Sequence, residues 1–232
     1  MQAETIKSKL INLEDNDRAL ILSSFFQTKK GQYAYGDLFL GVSVPQIRKT
    51  VAPYRGIPLS EVKKLLDSEF HECRFAALVL LVDQFAKGDE LQQEAIYNFY
   101  LSNTQRINNW DLVDVSCHKI VGEWLLEKNR AILYDLANSS LLWDQRIAIV
   151  STLTFIRNND FEDTLQLSEF FLTHPHHLIN KACGWMLREV GKRDKATLLS
   201  FLNKFVTQMP RVMLRYSIEK LSEEERKTYL RA

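Results

Sequence analysis

The chain has 232 residues, of which 46% are hydrophobic and 25% charged, and its net charge is +1. This composition is that of an ordinary globular protein and excludes a disordered or fibrous chain. No apolar run approaches the roughly 20 residues that a membrane-spanning helix needs. Eight Gly and five Pro are few for strands joined by tight turns, so a β-sandwich or barrel is not expected.

The cysteines and the N-terminus predict a reducing compartment. Cys73, Cys117 and Cys183 are odd in number and far apart, which fits neither a disulfide framework nor a CxxC metal pattern. Residues 1–5 lack the basic-then-apolar start of a signal peptide. We therefore expect a cytoplasmic protein with no membrane partner.

Positive charge is concentrated in two segments. Residues 180–220 hold nine Lys or Arg against three Asp or Glu, an excess of +6, and residues 29–55 hold five against one, an excess of +4. The rest of the chain therefore carries −9. This asymmetry predicts a polyanionic partner, although chance clustering on solvated helix faces would give the same pattern.

Apolar residues recur at helical spacing almost throughout, which predicts about a dozen helices joined by short polar turns. Helix starts are predicted where a capping residue precedes a helical segment. These capping residues are Asp17, Ser43, Ser60 and Asn109. Helices near residues 5–13 and 222–231 are predicted to cover the two ends of the structure.

Residues 29–41 are the one segment without a helical pattern. The stretch between Gly31 and Gly41 alternates weakly, so it is predicted to be either a small hairpin or an ordered loop. The sequence contains no linker. We therefore predict a single domain over residues 1–232, with this segment as an insertion.

The long helices repeat at a fixed period. Arg74, Trp110, Arg146 and Ala182 each open a long apolar helix and lie 36 residues apart. A turn and a second amphipathic helix follow each one, which together make a unit of HEAT or armadillo size. The predicted fold is all-α, an α-solenoid of about six HEAT-like repeats with a concave basic groove. A generic helical bundle with accidentally equal spacing is the alternative.

Two tryptophans are flanked by charged residues. Trp110 and Asp114 lie four residues apart and share a helix face. Trp185 shares its stripe with three cations: Lys181, Arg188 and Lys192. In a solenoid these positions are expected to line one groove, although Asp114 would also suit a surface ion pair with an arginine. Trp124, set among apolar residues, is predicted to lie in the core.

Other motifs give little support for a metal site, a catalytic nucleophile or a cofactor site. His174, His176 and His177 lie where a turn is expected and have no acidic or Cys partners, so no metal site is predicted. His71 and His118 lack a convincing nucleophile partner. No GxSxG, P-loop or GxGxxG is present, and we predict neither a cofactor nor a bound nucleotide.

Four strings of residues carry a family resemblance. They are Phe39-Leu40-Gly41-Val42 with Pro45 and Arg48, Asn109-Trp110-Asp111-Leu112-Val113-Asp114, Trp143-Asp144-Gln145-Arg146, and Lys181-Ala182-Cys183-Gly184-Trp185-Met186-Leu187-Arg188-Glu189. In order and spacing they resemble the AlkD-like DNA alkylation repair family of bacterial HEAT-repeat DNA glycosylases. The second and fourth strings together are a specific signal for this family, whereas either string alone would be a weak signal.

The resemblance implies a base excision repair enzyme of the bacterial cytosol or nucleoid. Its reaction would be removal of N3- or N7-alkylated purines, such as 3-methyladenine and 7-methylguanine, from duplex DNA without base flipping. Position by position, it assigns catalysis to Trp110, Asp114 and Trp185, and a phosphate contact to Arg146. The other basic residues predicted to contact DNA are Lys181, Arg188, Lys192, Lys29, Lys30 and Arg48.

This chemistry is reasonable for the residues present. Alkylation makes the purine a cationic leaving group, so a site need only stabilise an oxocarbenium-like sugar and place a water. Indole faces attract such a cation by about 0.5–2 kcal/mol each, and Asp114 would orient the water. No Lys nucleophile is apparent, so we expect a monofunctional glycosylase, a hydrolase that acts as a monomer.

Two other functions stay open. Residues 29–37 look like an insertion relative to well-studied glycosylases of the family, and relatives with extra elements there resemble non-catalytic binders of branched DNA. A protein-binding HEAT scaffold with an acidic partner is the second alternative.

The aromatic residue that the family carries in the helix before the inserted segment matches either Phe25 or Phe26.

Overall fold

The structure, a computed structural model, describes residues 1–231. Within that range all regular elements are helical, and the one β interaction is an isolated parallel bridge between Leu38 and Phe70. The prediction of an all-α fold of helical repeats is confirmed. By its contacts the chain divides into two compact units, Met1–Ile120 (unit 1) and Val121 onward (unit 2). The single domain stays a prediction.

Unit 1 consists of α1 (Gln2–Ile11), α2 (Asn16–Phe25), α3 (Val44–Val51), α4 (Leu59–Leu66), α5 (His71–Lys87), α6 (Glu90–Leu101) and α7 (Trp110–Cys117). A π-helical turn, His118–Gly122, follows α7. Unit 2 consists of α8 (Glu123–Leu125), α9 (Ala131–Ala137), α10 (Leu142–Ser151), α11 (Leu153–Arg157), α12 (Glu162–Phe170), α13 (His177–Arg193), α14 (Lys195–Phe205), α15 (Arg211–Ser217) and α16 (Glu223–Arg231).

The helices predicted from the 36-residue period form the centre of each unit. Of the four predicted first residues only Trp110 opens its helix, because α5, α10 and α13 begin before Arg74, Arg146 and Ala182. In unit 1, α5 is buried along most of its length and packs against α4, α6 and α7. In unit 2, α10 packs against α13, which packs against α15. Each of these central helices therefore contacts the next one in its series, as stacked repeats require.

Two predicted helix starts are confirmed. Ser43 caps α3 in a reciprocal capping box with Gln46. Asn109 caps α7, and its Oδ1 accepts a hydrogen bond from the Trp110 N–H at 2.8 Å. The second cap fixes the backbone at Trp110, the first residue of α7.

Two predicted helix starts are wrong. Asp15 rather than Asp17 caps α2, because the Asp15 carboxylate accepts a hydrogen bond from the Arg18 N–H and Asp17 lies inside the helix. The predicted cap Ser60 is also wrong, because α4 begins one residue before it, directly after Pro58. Proline's fixed φ suits a helix start without a side-chain cap.

The inserted segment is a loop. Residues 26–37 run through successive turns, so of the two conformations predicted for residues 29–41 the chain adopts the loop. The loop's exit is held by Glu72 of α5, whose carboxylate accepts hydrogen bonds from the N–H groups of Leu40 and Gly41, both at 2.9 Å. Gly41 has a φ of +78°, and a Cβ there would lie 2.2 Å from the carbonyl oxygen of Asp15. Only glycine suits this position.

Gly184 permits close contact between α13 and α15. A Cβ at this position would lie 2.5 Å from the carbonyl oxygen of Met213. We expect Gly184→Ala to lower the free energy of unfolding by about 1–3 kcal/mol, the usual cost of overpacking, as measured by urea denaturation. Gly56→Ala is the control, because a Cβ at Gly56 would have no heavy atom within 4 Å. Equal stability of the two variants would contradict the contact.

Candidate functional site

Trp110 is the first residue of α7 in unit 1 and is half-buried. Its indole stacks on the ring of Phe26, with centroids 5.3 Å apart and planes at 25°, and meets Phe25 edge-on at 6.1 Å. Phe26 is 6% exposed, whereas Phe25 is 62% exposed. Phe26 is therefore the buried support of the indole, and Phe25 is its exposed neighbour.

The stack continues from Phe26 into the interior of unit 1. Phe26 stacks on Phe39 at 5.1 Å and 15°, and Phe39 stacks on the imidazole of His71 at 4.6 Å and 24°. Four rings thus run from a partly exposed indole to a buried imidazole. Because each such pair adds about 0.5–1.5 kcal/mol beyond burial, the position of Trp110 depends on the rings beneath it.

The imidazole at the base of the stack belongs to a buried charge network. His71 Nε2 lies 2.8 Å from Asp111 Oδ2, and His71 Nδ1 lies 3.6 Å from Asp37 Oδ2. The other oxygen of Asp37 is 2.7 Å from Arg74 Nη2 and accepts a hydrogen bond from the Asn108 side chain at 3.0 Å. The network therefore joins the end of the inserted loop to α5 and to the start of α7.

The ionisation states in this network depend on one another. Burial opposes the charge on His71, but the Asp111 carboxylate, with help from Asp37, outweighs it and raises the pKa of His71 to about 9. Burial also opposes the charge on Asp37, but His71 and Arg74 hold the pKa of Asp37 below its usual value. At neutral pH the network therefore contains two cations facing two carboxylates.

The sequence did not predict this network. The partners of His71 are far from it along the chain: Asp37 lies in the inserted segment and Asp111 in the next repeat. One local signal was present, because His71 and Arg74 lie one helical turn apart at the start of an otherwise apolar helix. That signal indicates a polar cluster but not its partners.

The other two predicted catalytic residues are also half-buried. Asp114 lies one turn after Trp110 on α7, and Trp185 lies in the middle of α13 in unit 2. Neither indole is enclosed in the core, and the catalytic role of the three residues stays a prediction. The core prediction for Trp124 is wrong: this residue is half-buried, with the Lys128 ammonium 4.1 Å from the ring centroid.

The three cations predicted to share a helix face with Trp185 differ in the ion pairs that they form. Arg188 forms ion pairs with Glu219 and with Glu189, and Lys192 Nζ lies 2.7 Å from Glu189. Lys181 is half-buried and forms no ion pair with a carboxylate in residues 1–231. Two of the three cations are thus partly neutralised, which weakens their attraction for phosphate.

Arg146, to which the resemblance assigns a phosphate contact, is only 5% exposed. Its Nη1 donates a hydrogen bond to the carbonyl oxygen of Leu178 at 2.7 Å, which joins α10 to the first turn of α13. A phosphate contact needs an accessible guanidinium, so this burial argues against the assignment, which stays a prediction. Lys29, Lys30 and Arg48, by contrast, are exposed and form no ion pair within the described chain.

The histidine tract has structural partners in unit 2. The His176 side chain caps α13 by accepting a hydrogen bond from the Leu178 N–H, and His174 Nε2 lies 2.9 Å from Gln145 Oε1. Among the described residues, no group of three or more His, Cys, Asp or Glu is placed to hold a metal ion. These histidines therefore contribute to the fold at the start of α13.

The comparisons with known proteins identify the family. The sequence matches the family model of DNA alkylation repair enzymes over residues 6–221, and the chain belongs to this family. No curated protein matches the sequence significantly. Among solved structures, the chain is similar to a "Predicted DNA alkylation repair enzyme from Enterococcus faecalis", with a TM-score of 0.71 and 16% identity, over 90% of this chain and 97% of that one. At this identity the likeness establishes a shared fold.

Family membership supports an enzymatic role in the repair of alkylation damage and implies that the protein binds DNA. Of the helices in residues 1–231, none is long and apolar enough to cross a membrane.

Proposed function

We propose that the protein is a monofunctional DNA glycosylase that releases cationic N3- or N7-alkylated purines from duplex DNA without flipping the base. Trp110, Asp114 and Trp185 are the proposed lesion-contacting residues. The proposal rests chiefly on the partial exposure of both indoles, Trp110 on α7 and Trp185 on α13. Each indole therefore has surface available to a ligand.

The proposed reaction needs little from the protein beyond electrostatics. An alkylated purine already carries a positive charge, so departure of the base leaves an oxocarbenium-like sugar and a neutral leaving group. Indole faces attract the cationic groups by about 0.5–2 kcal/mol each when they are close. The Asp114 carboxylate stabilises the sugar cation and orients the water that attacks C1′.

The buried stack supports this proposal because it holds Trp110 before substrate arrives. Phe26 lies under the indole, and the Asn109 cap fixes the backbone at the same residue. A ring held in place in advance loses less entropy when a lesion binds, so more of its attraction is available to the transition state.

The test of the proposal is base release. Methylated duplex DNA incubated with the protein should yield free 7-methylguanine or 3-methyladenine, detected by liquid chromatography and mass spectrometry. The abasic strand should stay intact until it is heated in alkali, because no Lys nucleophile is part of the proposed site. Tight duplex binding with no released base would refute the glycosylase.

Binding of branched DNA is a second candidate, favoured by the exposure of the inserted loop. Lys29 and Lys30 are exposed, and Tyr35 is 66% exposed, so the loop presents cations and an aromatic ring to solvent. Groove-binding elements use such side chains.

A competition experiment separates the two functions. For the glycosylase we expect a four-way junction and plain duplex to compete about equally for the protein, per phosphate contacted. The branched-DNA function instead predicts that the junction wins and that Lys29→Ala/Lys30→Ala/Tyr35→Ala removes the preference. This triple variant retains Asp37, so the buried network stays in place.

A further inference from the structure

A pocket beside Trp185 contains residues that the proposed lesion contacts do not use. It lies in unit 2 between α11 and α13 and has a volume of about 240 Å³. Its lining residues are Leu153, Ile156, Arg157, Trp185, Glu189 and Arg193. The pocket thus combines an apolar wall, an indole, one carboxylate and two guanidinium groups.

The two arginines are accessible. Arg157 is the last residue of α11 and Arg193 is the last residue of α13, and both are exposed. Within residues 1–231 neither forms an ion pair. Each therefore retains a full set of guanidinium donors for a ligand.

The carboxylate in the pocket does not neutralise these arginines. Glu189 is already bound by Lys192, whose Nζ lies 2.7 Å from Oε1, and by Arg188, whose Nη2 lies 3.5 Å away. This acid is thus already paired from outside the pocket, by Lys192 and in part by Arg188, which Glu219 shares. The pocket keeps the excess positive charge of its two arginines.

Helix dipoles explain only in part why arginines stand at these two positions. A cation in the last turn of a helix is stabilised by the negative end of the dipole, and this applies to Arg157 and Arg193 separately. It does not require both side chains to line the same pocket beside an indole. A planar guanidinium matches the oxygens of a phosphate group, and a pair of them on one pocket suits a phosphodiester.

We propose that this pocket is a phosphate-binding subsite for the backbone of bound DNA, with Arg157 and Arg193 as its ligands and the Trp185 indole packed against the adjoining sugar. The proposal rests on the proposed function in taking DNA as the ligand. It also gives unit 2 a phosphate contact in place of Arg146, whose guanidinium is buried.

The salt dependence of DNA binding tests the subsite. Removal of one phosphate-binding cation makes the slope of log K against log[salt] less negative by about 0.9, so Arg157→Ala/Arg193→Ala should change the slope by about 1.8. Affinity for undamaged duplex at low salt should fall about tenfold or more. Fluorescence anisotropy at a series of NaCl concentrations measures both, and thermal melting confirms that the variant is folded.

Two matched variants serve as controls. Arg226→Ala/Arg231→Ala removes the same charge from two exposed arginines of α16 that form no ion pair within residues 1–231, and it should change the slope by less than half as much. Arg157→Lys/Arg193→Lys keeps the charge and should restore most of the slope. Equal effects of the pocket pair and the α16 pair would overturn the subsite.

Competitors distinguish the sources of the anion. Inorganic phosphate or a mononucleotide that displaces duplex at micromolar concentration would overturn the DNA assignment in favour of a free phosphate compound, and equal competition by polyglutamate would overturn it in favour of an acidic protein. An unchanged slope with normal base release would refute the subsite and leave the glycosylase standing. The expected slope change without base release would refute the glycosylase and leave the subsite standing.

Discussion

Asp114→Asn should nearly abolish base release while DNA binding stays intact. The substitution keeps the shape of the side chain on α7, one turn from Trp110, and removes its negative charge. Loss of one preorganised electrostatic group lowers a rate constant by about 10²–10³-fold, and we expect a loss of this size here. Single-turnover release of 7-methylguanine from methylated duplex measures the rate, and anisotropy measures the affinity.

The control for this experiment is Asp135→Asn. Asp135 is exposed on α9 and is not one of the proposed lesion contacts, so the same chemical change is made outside the proposed site. This variant should release base at the rate of the unmodified protein. Retention of more than about a third of the rate by Asp114→Asn would show that the carboxylate is not needed for the chemical step.

Raising the pH from 6.5 to 9 should destabilise unit 1 through His71. The folded protein raises the pKa of His71 from 6.5 to about 9, against the effect of burial, chiefly because of Asp111. The folded state therefore favours the protonated imidazole. This stabilisation, on the order of 3 kcal/mol, is complete below pH 6.5 and is lost as the pH rises through 9.

Urea denaturation at several pH values between 6 and 9.5 measures this loss in the unmodified protein and in His71→Gln. The variant lacks the titrating group, so it should be the less stable protein at pH 6, and the two curves should converge above pH 9. His174→Gln is the control. His174 has a pKa lowered by burial, so its removal should not change the slope above pH 6.5. Parallel curves for the unmodified protein and His71→Gln would contradict the charged network.

The network also links the stability of unit 1 to its proposed chemistry. His71 lies under Phe39, which lies under Phe26, and Phe26 supports the indole of Trp110. Loss of the charge on His71 therefore weakens the electrostatic hold of Asp111 and Asp37 on the ring at the base of the stack. Deprotonation of His71 and mobility of Trp110 should accompany each other at alkaline pH.

The parts of this protein that the sequence determined are those set by local spacing. Helical period and capping residues act within a few positions, so the all-α repeat fold and the Asn109 cap before Trp110 were predictable. The partial exposure of Trp110 and Trp185 also followed from the charged residues one turn away. Local spacing was not decisive at the start of α2, where Asp15 rather than the predicted Asp17 is the cap.

Tertiary structure decided what depends on residues distant in the chain. Arg146 lies one 36-residue period after Trp110, yet it is buried, and the carbonyl oxygen of Leu178 in a neighbouring helix satisfies its guanidinium. His71 is charged only because folding brings Asp37 and Asp111 to its two ring nitrogens. Burial and electrostatic partners are set by packing between helices, which no periodicity within one helix encodes.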